Sequence, residues 1–266
     1  MRVLICIPAR HKSSRFPGKP LALLRGASGQ ARSLVQRTWE AAMRVSRADR
    51  VVVATEDRLI GDAVRSFGGE VLMTSPDCRN GTERCAEAVG MLGEGYDIVV
   101  NLQGDAPLTP PWFIESLVER LASHPSVEMA TPVLRCDGRA LDAFLRDRRA
   151  GRVGGTTAVF SEDGNALYFS KEVIPHTPCR FADAQRTPVF HHVGIYAFRR
   201  TALESYPRWP IGPLERSEGL EQLRFLEQGR RVLCVEVEAR GRRFWEVNNP
   251  GDVPRVEAML AELGLE

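Results

Sequence analysis

The sequence has no concentration of charge of one sign. Its 36 basic and 34 acidic residues leave a formal net charge of +2 over 266 residues, and no basic run stands out. Proteins that bind nucleic acids or membrane surfaces usually carry such a run or stripe. We therefore expect neither kind of partner, and an anionic ligand would have to be held by a few well-placed residues.

The sequence also has no paired cysteines and no long apolar run. None of its six cysteines forms a C-x-x-C pair, which argues against a zinc site and against a disulfide framework. No apolar run approaches the ~20 residues that cross a membrane, and the opening stretch MRVLICIPA is too short for a signal peptide. These absences predict a soluble, cytoplasmic protein.

Strand and helix patterns alternate through the first two thirds of the chain. Short apolar runs such as VLICIPA, RVVVAT and YDIVVNLQ are typical of buried strands, and amphipathic segments separate them. This order predicts an α/β fold with a mainly parallel mixed sheet. A polar, arginine-rich stretch interrupts the pattern at residues 139–155. TTAVFSED and NALYFS then predict a hairpin, a Pro-rich loop follows, and GPLERSEGLEQLRFLEQG predicts one helix. We expect a single domain, 1–266, with an inserted hairpin lobe over about 139–200.

A basic loop, ARHKSSRFPGKP, follows the first predicted strand. It holds Arg10, Lys12, Arg15 and Lys19, and Lys12 and Lys19 are two of only three lysines in the chain. Cations and backbone amides at the carboxyl end of a strand are suited to a polyphosphate. The spacing matches neither a Walker loop nor G-x-G-x-x-G. The loop is therefore interpreted as a phosphate-binding segment, with a solvated basic loop as the alternative.

A second polar segment, LQGDAP, follows a later strand. Asp105 at this strand tip is suited to hold a divalent cation that bridges phosphate oxygens. Gln103 beside it could bond a ribose or an acceptor hydroxyl. The alternative is that Asp105 only stabilises a turn.

Seven segments, in order and over nearly the whole chain, resemble the 3-deoxy-manno-octulosonate cytidylyltransferase (CMP-Kdo synthetase) family. They are IPARHKSSRFPGKPLA, VVVATEDRLIGDAVRSFGGEV, CRNGTERCAEAV, IVVNLQGDAP, NALYFSK, HHVGIYAF and GPLERSEGLEQLRFL. The resemblance implies a three-layer, Rossmann-like nucleotide-diphosphosugar transferase fold. It also implies CTP and Mg²⁺ as co-reactants, a small anionic acid as acceptor, release of pyrophosphate, and a homodimer.

The resemblance also assigns roles to individual positions. Implied nucleotide-binding residues are Pro8, Ala9, Arg10, Ser13, Arg15, Lys19, Asn80, Gly81, Thr82, Arg84 and Gln103. Implied acceptor-binding residues are Gln103, Lys171, His192, Tyr196, Glu218, Glu221 and Gln222. Implied catalytic residues are Arg10, Lys19 and Asp105, and implied metal ligands are Asp105 and Asn248. For His192 the alternative is a hydrogen-bonded core residue, and for the glutamates it is a solvated helix face.

The sequence departs from the family at several positions near this site. The family's Q-G-D-E-P has Ala106 in place of glutamate, and its V-D-T-P-E-D reads VNNPGD, with Asn248 where a metal aspartate is expected. In the hairpin, Thr157 replaces a lysine and Lys171 an arginine. We predict that a highly charged acceptor such as phosphonoformate supplies the missing negative charge, as in a branch diverged toward phosphonates. The alternatives are Kdo or a related sugar acid, and a catalytically weak nucleotide-binding protein.

Overall fold

A computed structural model describes residues 1–12, 15–153, 155–242 and 245–266. Ser13, one of the predicted nucleotide-binding residues, lies outside the described residues. The chain groups into two compact units. Unit 1 comprises Met1–Val118, Ala197–Pro207 and Ala239–Glu266, and unit 2 comprises Glu119–Tyr196 and Arg208–Glu238. The predicted domain boundaries stay a prediction.

Strands and α-helices alternate over the first half of the chain. The strands are β1 (Val3–Pro8), β2 (Leu23–Arg25), β3 (Ala31–Ser33), β4 (Arg50–Thr55), β5 (Glu70–Met73), β6 (Ile98–Leu102), β7 (Met129–Asp137), β8 (Thr156–Phe160), β9 (Ala166–Ser170), β10 (Arg186–His192), β11 (Ile195–Arg199) and β12 (Val232–Glu236). The α-helices are α1 (Leu34–Met43), α2 (Arg58–Ser66), α3 (Gly81–Met91), α4 (Pro111–Ser123), α5 (Gly138–Arg149), α6 (Arg200–Ser205), α7 (Pro213–Glu218), α8 (Leu223–Glu227) and α9 (Val253–Glu262).

The parallel strands of unit 1 confirm the predicted α/β architecture. Strands β5, β4, β1 and β6 are neighbours in that order, and all their pairings are parallel. Every residue of β1 and of β6 is buried, as expected for strands covered on both faces. The chain moves to one side of β1 for β4 and β5 and to the other side for β6. Ligands of open α/β sheets bind at such a switch point, beyond the carboxyl ends of the strands.

An apolar cluster in unit 1 joins the segments that follow these strands. Its buried members include Leu108, beyond the LQGDAP segment, and Val247, in the VNNPGD segment. Phe16 from the basic loop and Trp245 pack against the same cluster. Burial of these side chains stabilises the fold by roughly 1.5–3 kcal/mol each when it is complete. The basic loop, the LQGDAP loop and the VNNPGD loop therefore all pack against the same apolar cluster.

Unit 2 contains mostly antiparallel pairings. Strand β10 pairs with β7 and with β8, and β8 pairs with β9. These pairings confirm the predicted hairpin, which is formed by β8 and β9. Strand β12 is parallel to β7.

Two sequence-based predictions in the second half were wrong in detail. The polar stretch from Arg139 contains helix α5, whose first turn is capped by the side chain of Asp137. The helix expected over GPLERSEGLEQLRFLEQG is two short helices, α7 and α8. Gly219 ends α7 in the left-handed conformation with φ of +62°, so the continuous apolar periodicity hides a break.

Two further strand regions have no counterpart in the sequence-based prediction. The β2–β3 hairpin and strand β10 were both missed, the latter within the segment interpreted as a Pro-rich loop. Strand β10 alternates buried and exposed residues only in part and contains a register shift between Arg186 and Phe190. Among the described residues, no helix has the length and apolar character needed to cross a membrane.

Candidate active site

The carboxyl ends of β1 and β6 meet closely in unit 1. A Cβ atom on Gly104 would lie 2.9 Å from the carbonyl oxygen of Pro8, so the loop after β6 can approach β1 only with glycine there. The hydroxyl of Thr38 donates to the carbonyl of Gly104 at 3.2 Å. Helix α1 therefore supports the loop that carries Asp105.

The first residue of α3 lies against the same place. A Cβ on Gly81 would be 2.8 Å from Nε2 of Gln103 and 3.2 Å from Cγ of Pro8. Helix N-termini carry a partial positive charge and free N–H groups. Pro8, Gly81 and Gln103, three predicted nucleotide-binding residues, are thus brought together at the switch point.

The basic loop returns on itself and directs Lys19 toward the tip of β6. Gly18 adopts φ of +69°, and its N–H donates to the carbonyl of His11 at 3.1 Å. Nζ of Lys19 then lies 2.5 Å from Oδ2 of Asp105, and the two side chains are 16% and 20% exposed. Arg10, next after Ala9, is exposed. A cation-rich edge with one partly accessible carboxylate suits a polyphosphate.

Asn248 is held beside Asp105 although the two residues are far apart in sequence. The N–H of Val247 donates to the backbone carbonyl of Asp105 at 3.0 Å, and Nη2 of Arg15 donates to Oδ1 of Asn248 at 3.3 Å. No cluster of three or more acidic, histidine or cysteine ligands occurs in the described part of the chain. Carboxylate and amide oxygens are hard ligands, and Mg²⁺ is commonly bound by one or two carboxylates with substrate phosphates completing its shell. The donor set fits Mg²⁺ on that basis.

The side chains of Asn80, Thr82 and Arg84 are engaged inside unit 1. Oδ1 of Asn80 accepts the N–H of Glu83 at 2.9 Å and caps α3, while its Nδ2 donates to the Tyr206 hydroxyl at 3.0 Å. Thr82 and Arg84 are buried. Nη2 of Arg84 lies 2.8 Å from Oε2 of Glu56. These contacts support the helix start, and a direct contact of these residues with a nucleotide stays a prediction.

In unit 2, His192 is a buried neutral imidazole. Its Nε2 is 2.9 Å from the hydroxyl of Thr131, which donates to the carbonyl of Ile195 at 2.8 Å. Its ring stacks on Tyr196 at 5.6 Å between centroids. Burial, with a smaller contribution from His191, lowers the pKa of His192 to about 3. His192 therefore has the contacts of a hydrogen-bonded core residue, which is the alternative to its predicted role in binding the acceptor.

Tyr196 and Gln222 form a second buried contact in unit 2. The Tyr196 hydroxyl donates to Oε1 of Gln222 at 3.1 Å. Gln222 is only 2% exposed, and its Nε2 has no hydrogen-bond partner among the described residues. An unsatisfied buried donor costs about 1–3 kcal/mol. An anionic acceptor is the kind of ligand that would satisfy it.

Glu218 and Lys171 are adjacent at the end of β9. Oε2 of Glu218 accepts the N–H of Lys171 at 2.8 Å, and its Oε1 accepts the hydroxyl of Ser170 at 2.6 Å. Nζ of Lys171 lies 3.1 Å from where a Cβ on Gly219 would be. Glu221 is half-buried in the turn between α7 and α8. Unit 2 therefore brings five of the predicted acceptor residues into two contact groups: His192 and Tyr196 with Gln222, and Lys171 with Glu218.

Three residues that support the site were not predicted. Glu56 pairs with Arg84, Thr131 holds His192, and Asp252 accepts hydrogen bonds from the loop that carries Asn248. Only Asp252 had a sequence signal, because asparagine followed three residues later by an acidic residue is the spacing of a capping box. The other two contacts join residues distant in sequence.

Comparison with known proteins agrees with the geometry at the switch point. The profile of the family described as Cytidylyltransferase matches residues 4–232. The chain belongs to this family. The cytidylyltransferase is 46% identical over 264 residues to 3-deoxy-manno-octulosonate cytidylyltransferase of Maricaulis maris (strain MCS10), with 99% of both chains covered. As a member of this family it is a nucleotidyltransferase.

Other relatives carry similar names. The cytidylyltransferase is 42% identical over 254 residues to 3-deoxy-manno-octulosonate cytidylyltransferase of Chlamydia abortus (strain DSM 27085 / S26/3), covering 96% of this chain and 92% of the relative. It is 40% identical over 264 residues to 8-amino-3,8-dideoxy-manno-octulosonate cytidylyltransferase of Shewanella frigidimarina (strain NCIMB 400), covering 98% and 99%.

A solved structure supports the same fold assignment. The structure of a CMP:2-keto-3-deoxy-manno-octonic acid synthetase complexed with CTP has a TM-score of 0.82 to the cytidylyltransferase, with 32% identity, over 99% of this chain and 100% of that chain. The expected nucleotidyltransferase fold, with a mixed and mainly parallel sheet flanked by helices, is thereby confirmed.

Proposed function

We propose that the protein transfers the cytidylyl group of CTP to 3-deoxy-manno-octulosonate with release of pyrophosphate. The observation that carries this proposal is the 46% identity, over 99% of both chains, to a relative named for that reaction. The contact of Lys19 with Asp105 at the switch point supports the nucleotide half of the proposal, because a cation beside a carboxylate that could hold a metal is suited to a triphosphate.

The preference for a phosphonate acceptor is not supported, and we replace it with the sugar acid. The reported relatives are named for octulosonate sugar acids. The loss of charge near the site also favours a phosphonate less than the sequence alone indicates. Ala106 is completely buried, so position 106 presents no side chain to solvent. One carboxylate is also sufficient for Mg²⁺ bound with phosphates, so the charge absent at Asn248 does not require a multiply charged acceptor.

The proposed reaction is an in-line displacement at the α-phosphorus of CTP. A hydroxyl oxygen of the sugar acid forms the new bond to phosphorus as the bond to pyrophosphate breaks, and the hydroxyl proton passes to solvent. Lys19 and Arg10 stabilise the charge that develops on the leaving group, and Gln103 at Gly81 orients the substrate. A magnesium ion held by Asp105 and Asn248 would supply further positive charge to the phosphate oxygens.

On the acceptor side, the proposal assigns recognition of the acid to unit 2. The Nε2 of Gln222 supports this, since it is a buried donor that finds no acceptor among the residues that the structure describes. Lys171 contributes a positive charge next to Glu218. His192 contributes packing and a neutral ring, because burial holds its pKa far below neutral pH.

Pyrophosphate release tests the proposal. Purified protein, CTP and Mg²⁺ are combined with Kdo, 8-amino-Kdo, sialic acid or phosphonoformate in separate reactions. We expect the fastest release with Kdo. Turnover only with 8-amino-Kdo would reassign the acceptor, and turnover only with phosphonoformate would reject the sugar acid. CTP binding without release in every reaction would identify a binding protein instead.

We also infer a cytoplasmic homodimer. No disulfide joins the six cysteines, which all lie in the described part of the chain, as is usual in a reducing compartment, and the homodimer is implied by the family resemblance. Light scattering coupled to gel filtration tests the second inference: we expect twice the mass of one chain, and the mass of one chain would reject it.

A further inference from the structure

We propose that Asp252 is a positioning residue that fixes Asn248 next to Asp105. Its carboxylate binds the loop of residues 245–249 and so sets where the side-chain oxygen of Asn248 lies. The inference rests on the proposed function, because it concerns the response of that site to Mg²⁺ and CTP.

The carboxylate of Asp252 accepts hydrogen bonds from several groups of this loop. Oδ2 accepts the backbone N–H of Asn248 at 2.9 Å and that of Asn249 at 2.7 Å. Oδ1 accepts the indole Nε1–H of Trp245 at 3.0 Å. Both oxygens are therefore used, and they bind the loop on either side of Val247. Hydrogen bonds to an ionised acceptor are roughly twice as strong as those between neutral groups.

The loop is also held from its other side. The guanidinium of Arg255 lies 3.4 Å from the ring centroid of Trp245, and Val247 is buried in the apolar cluster. The N–H of Val247 donates to the carbonyl of Asp105. The N–H of Val247 is bound by Asp105, and the N–H groups of Asn248 and Asn249 are bound by Asp252. The backbone of Asn248 therefore has little freedom. Its Oδ1 consequently stays within reach of Arg15.

A purely structural role for Asp252 makes a different prediction. Asp252 and Asn249 form a capping box at the start of the short 3-10 helix that precedes α9. A cap needs only the bond to the Asn249 N–H. The bonds to Asn248 and Trp245 lie before the helix and add nothing to its end. Loss of a cap would lower stability, whereas loss of positioning would change the Mg²⁺ requirement of the site.

The substitution Asp252→Asn separates these roles. An amide keeps the shape of the carboxylate but has one accepting oxygen and places an N–H₂ against a donor of the loop. The matched control is Glu257→Gln on α9, which removes the charge of a carboxylate that accepts the N–H of Arg25 at 2.7 Å. Binding of α,β-methylene-CTP, which resists the transfer, is measured by calorimetry over a range of Mg²⁺ concentrations, and thermal unfolding is measured alongside.

We expect Asp252→Asn to raise the Mg²⁺ concentration for half-maximal analogue binding by about 10–100-fold, the usual effect of removing a group that orients a metal ligand. Binding without Mg²⁺ should match the wild type. Glu257→Gln should leave both values unchanged. An unchanged Mg²⁺ requirement in Asp252→Asn overturns the inference, even if its unfolding temperature falls.

A second variant covers the case in which Asp252→Asn does not fold. Trp245→Phe removes only the indole donor and keeps an aromatic ring against the apolar cluster. We expect a smaller increase of the Mg²⁺ requirement in the same direction, and no increase would overturn the inference. Failure of the proposed function would look different, because the wild-type protein itself would then release no pyrophosphate with Kdo.

Discussion

Replacing Lys19 with alanine removes the cation that contacts Asp105. Lys19 belongs to the proposed active site. Its Nζ lies 2.5 Å from the Asp105 carboxylate, and 16% of its side chain is exposed. In the proposed reaction it stabilises negative charge on the leaving pyrophosphate. Lys12, in the same loop, is exposed and offers a matched control, since Lys12→Ala removes the same charge from a different position.

The expected loss is large for catalysis and small for folding. Removing one preorganised electrostatic donor usually costs about 2.7–4 kcal/mol of activation free energy, or about 10²–10³ in kcat. The side chains of Lys19 and Asp105 keep some contact with water, at 16% and 20% exposed, so the loss of stability should be smaller than the about 3–5 kcal/mol of breaking a fully buried pair. Asp105 also keeps access to water, so Lys19→Ala should not leave an unpaired charge in the core.

Steady-state kinetics with CTP and Kdo measure the first effect, and urea unfolding measures the second. We expect Lys19→Ala to lose about 10²–10³ in kcat and Lys12→Ala to stay within about threefold of the wild type. Lys19→Arg should recover only part of the rate, because a planar guanidinium cannot take the position of a compact ammonium. Equal losses in the two alanine variants would refute the assigned role of Lys19.

Two further predictions concern stability. Gly212→Ala should lower the free energy of unfolding by about 1–3 kcal/mol, because its Cβ would lie 2.1 Å from the Glu227 carboxylate, which accepts two backbone N–H groups of α7. The control is Gly90→Ala within α3, whose new Cβ would meet no described atom beyond its own helix backbone within 4 Å. It should raise the free energy of unfolding by about 0.4–1 kcal/mol, and similar urea midpoints for both variants would contradict this. The second prediction concerns His192, whose pKa burial lowers from 6.5 to about 3. Above pH 6.5 the imidazole is neutral in both the folded and the unfolded state. Between pH 6.5 and 3 only the unfolded chain binds a proton at this imidazole, so the free energy of unfolding should fall as the pH is lowered over that range. His192→Asn should flatten that fall, and an unchanged slope would contradict the assignment.

The first half of the fold could be predicted because its signals are local. Strands β1 and β6 are continuous apolar runs of strand length, and amphipathic segments of helix length separate them. The misses have equally physical causes. Helix α5 is rich in arginine, which concealed the helical spacing of Leu141, Phe144 and Leu145 on its buried side. The break at Gly219 depends on a backbone conformation that neither composition nor spacing reports.

The sequence by itself predicted which loops lie at the candidate phosphate-binding edge. Parallel strands place their carboxyl ends together, so the loop after β1 that carries Lys19 and the loop after β6 that carries Asp105 were expected at one edge once both strands were recognised. Only the tertiary structure decided that the segment of Asn248 lies against Asp105, that Ala106 is completely buried, and that Asp252 binds Trp245 and the Asn248 N–H besides capping the helix. The first outcome depends on a contact between residues far apart in the chain, the Val247 N–H on the Asp105 carbonyl. No local pattern of residues encodes such a contact, because packing against the shared apolar cluster sets it.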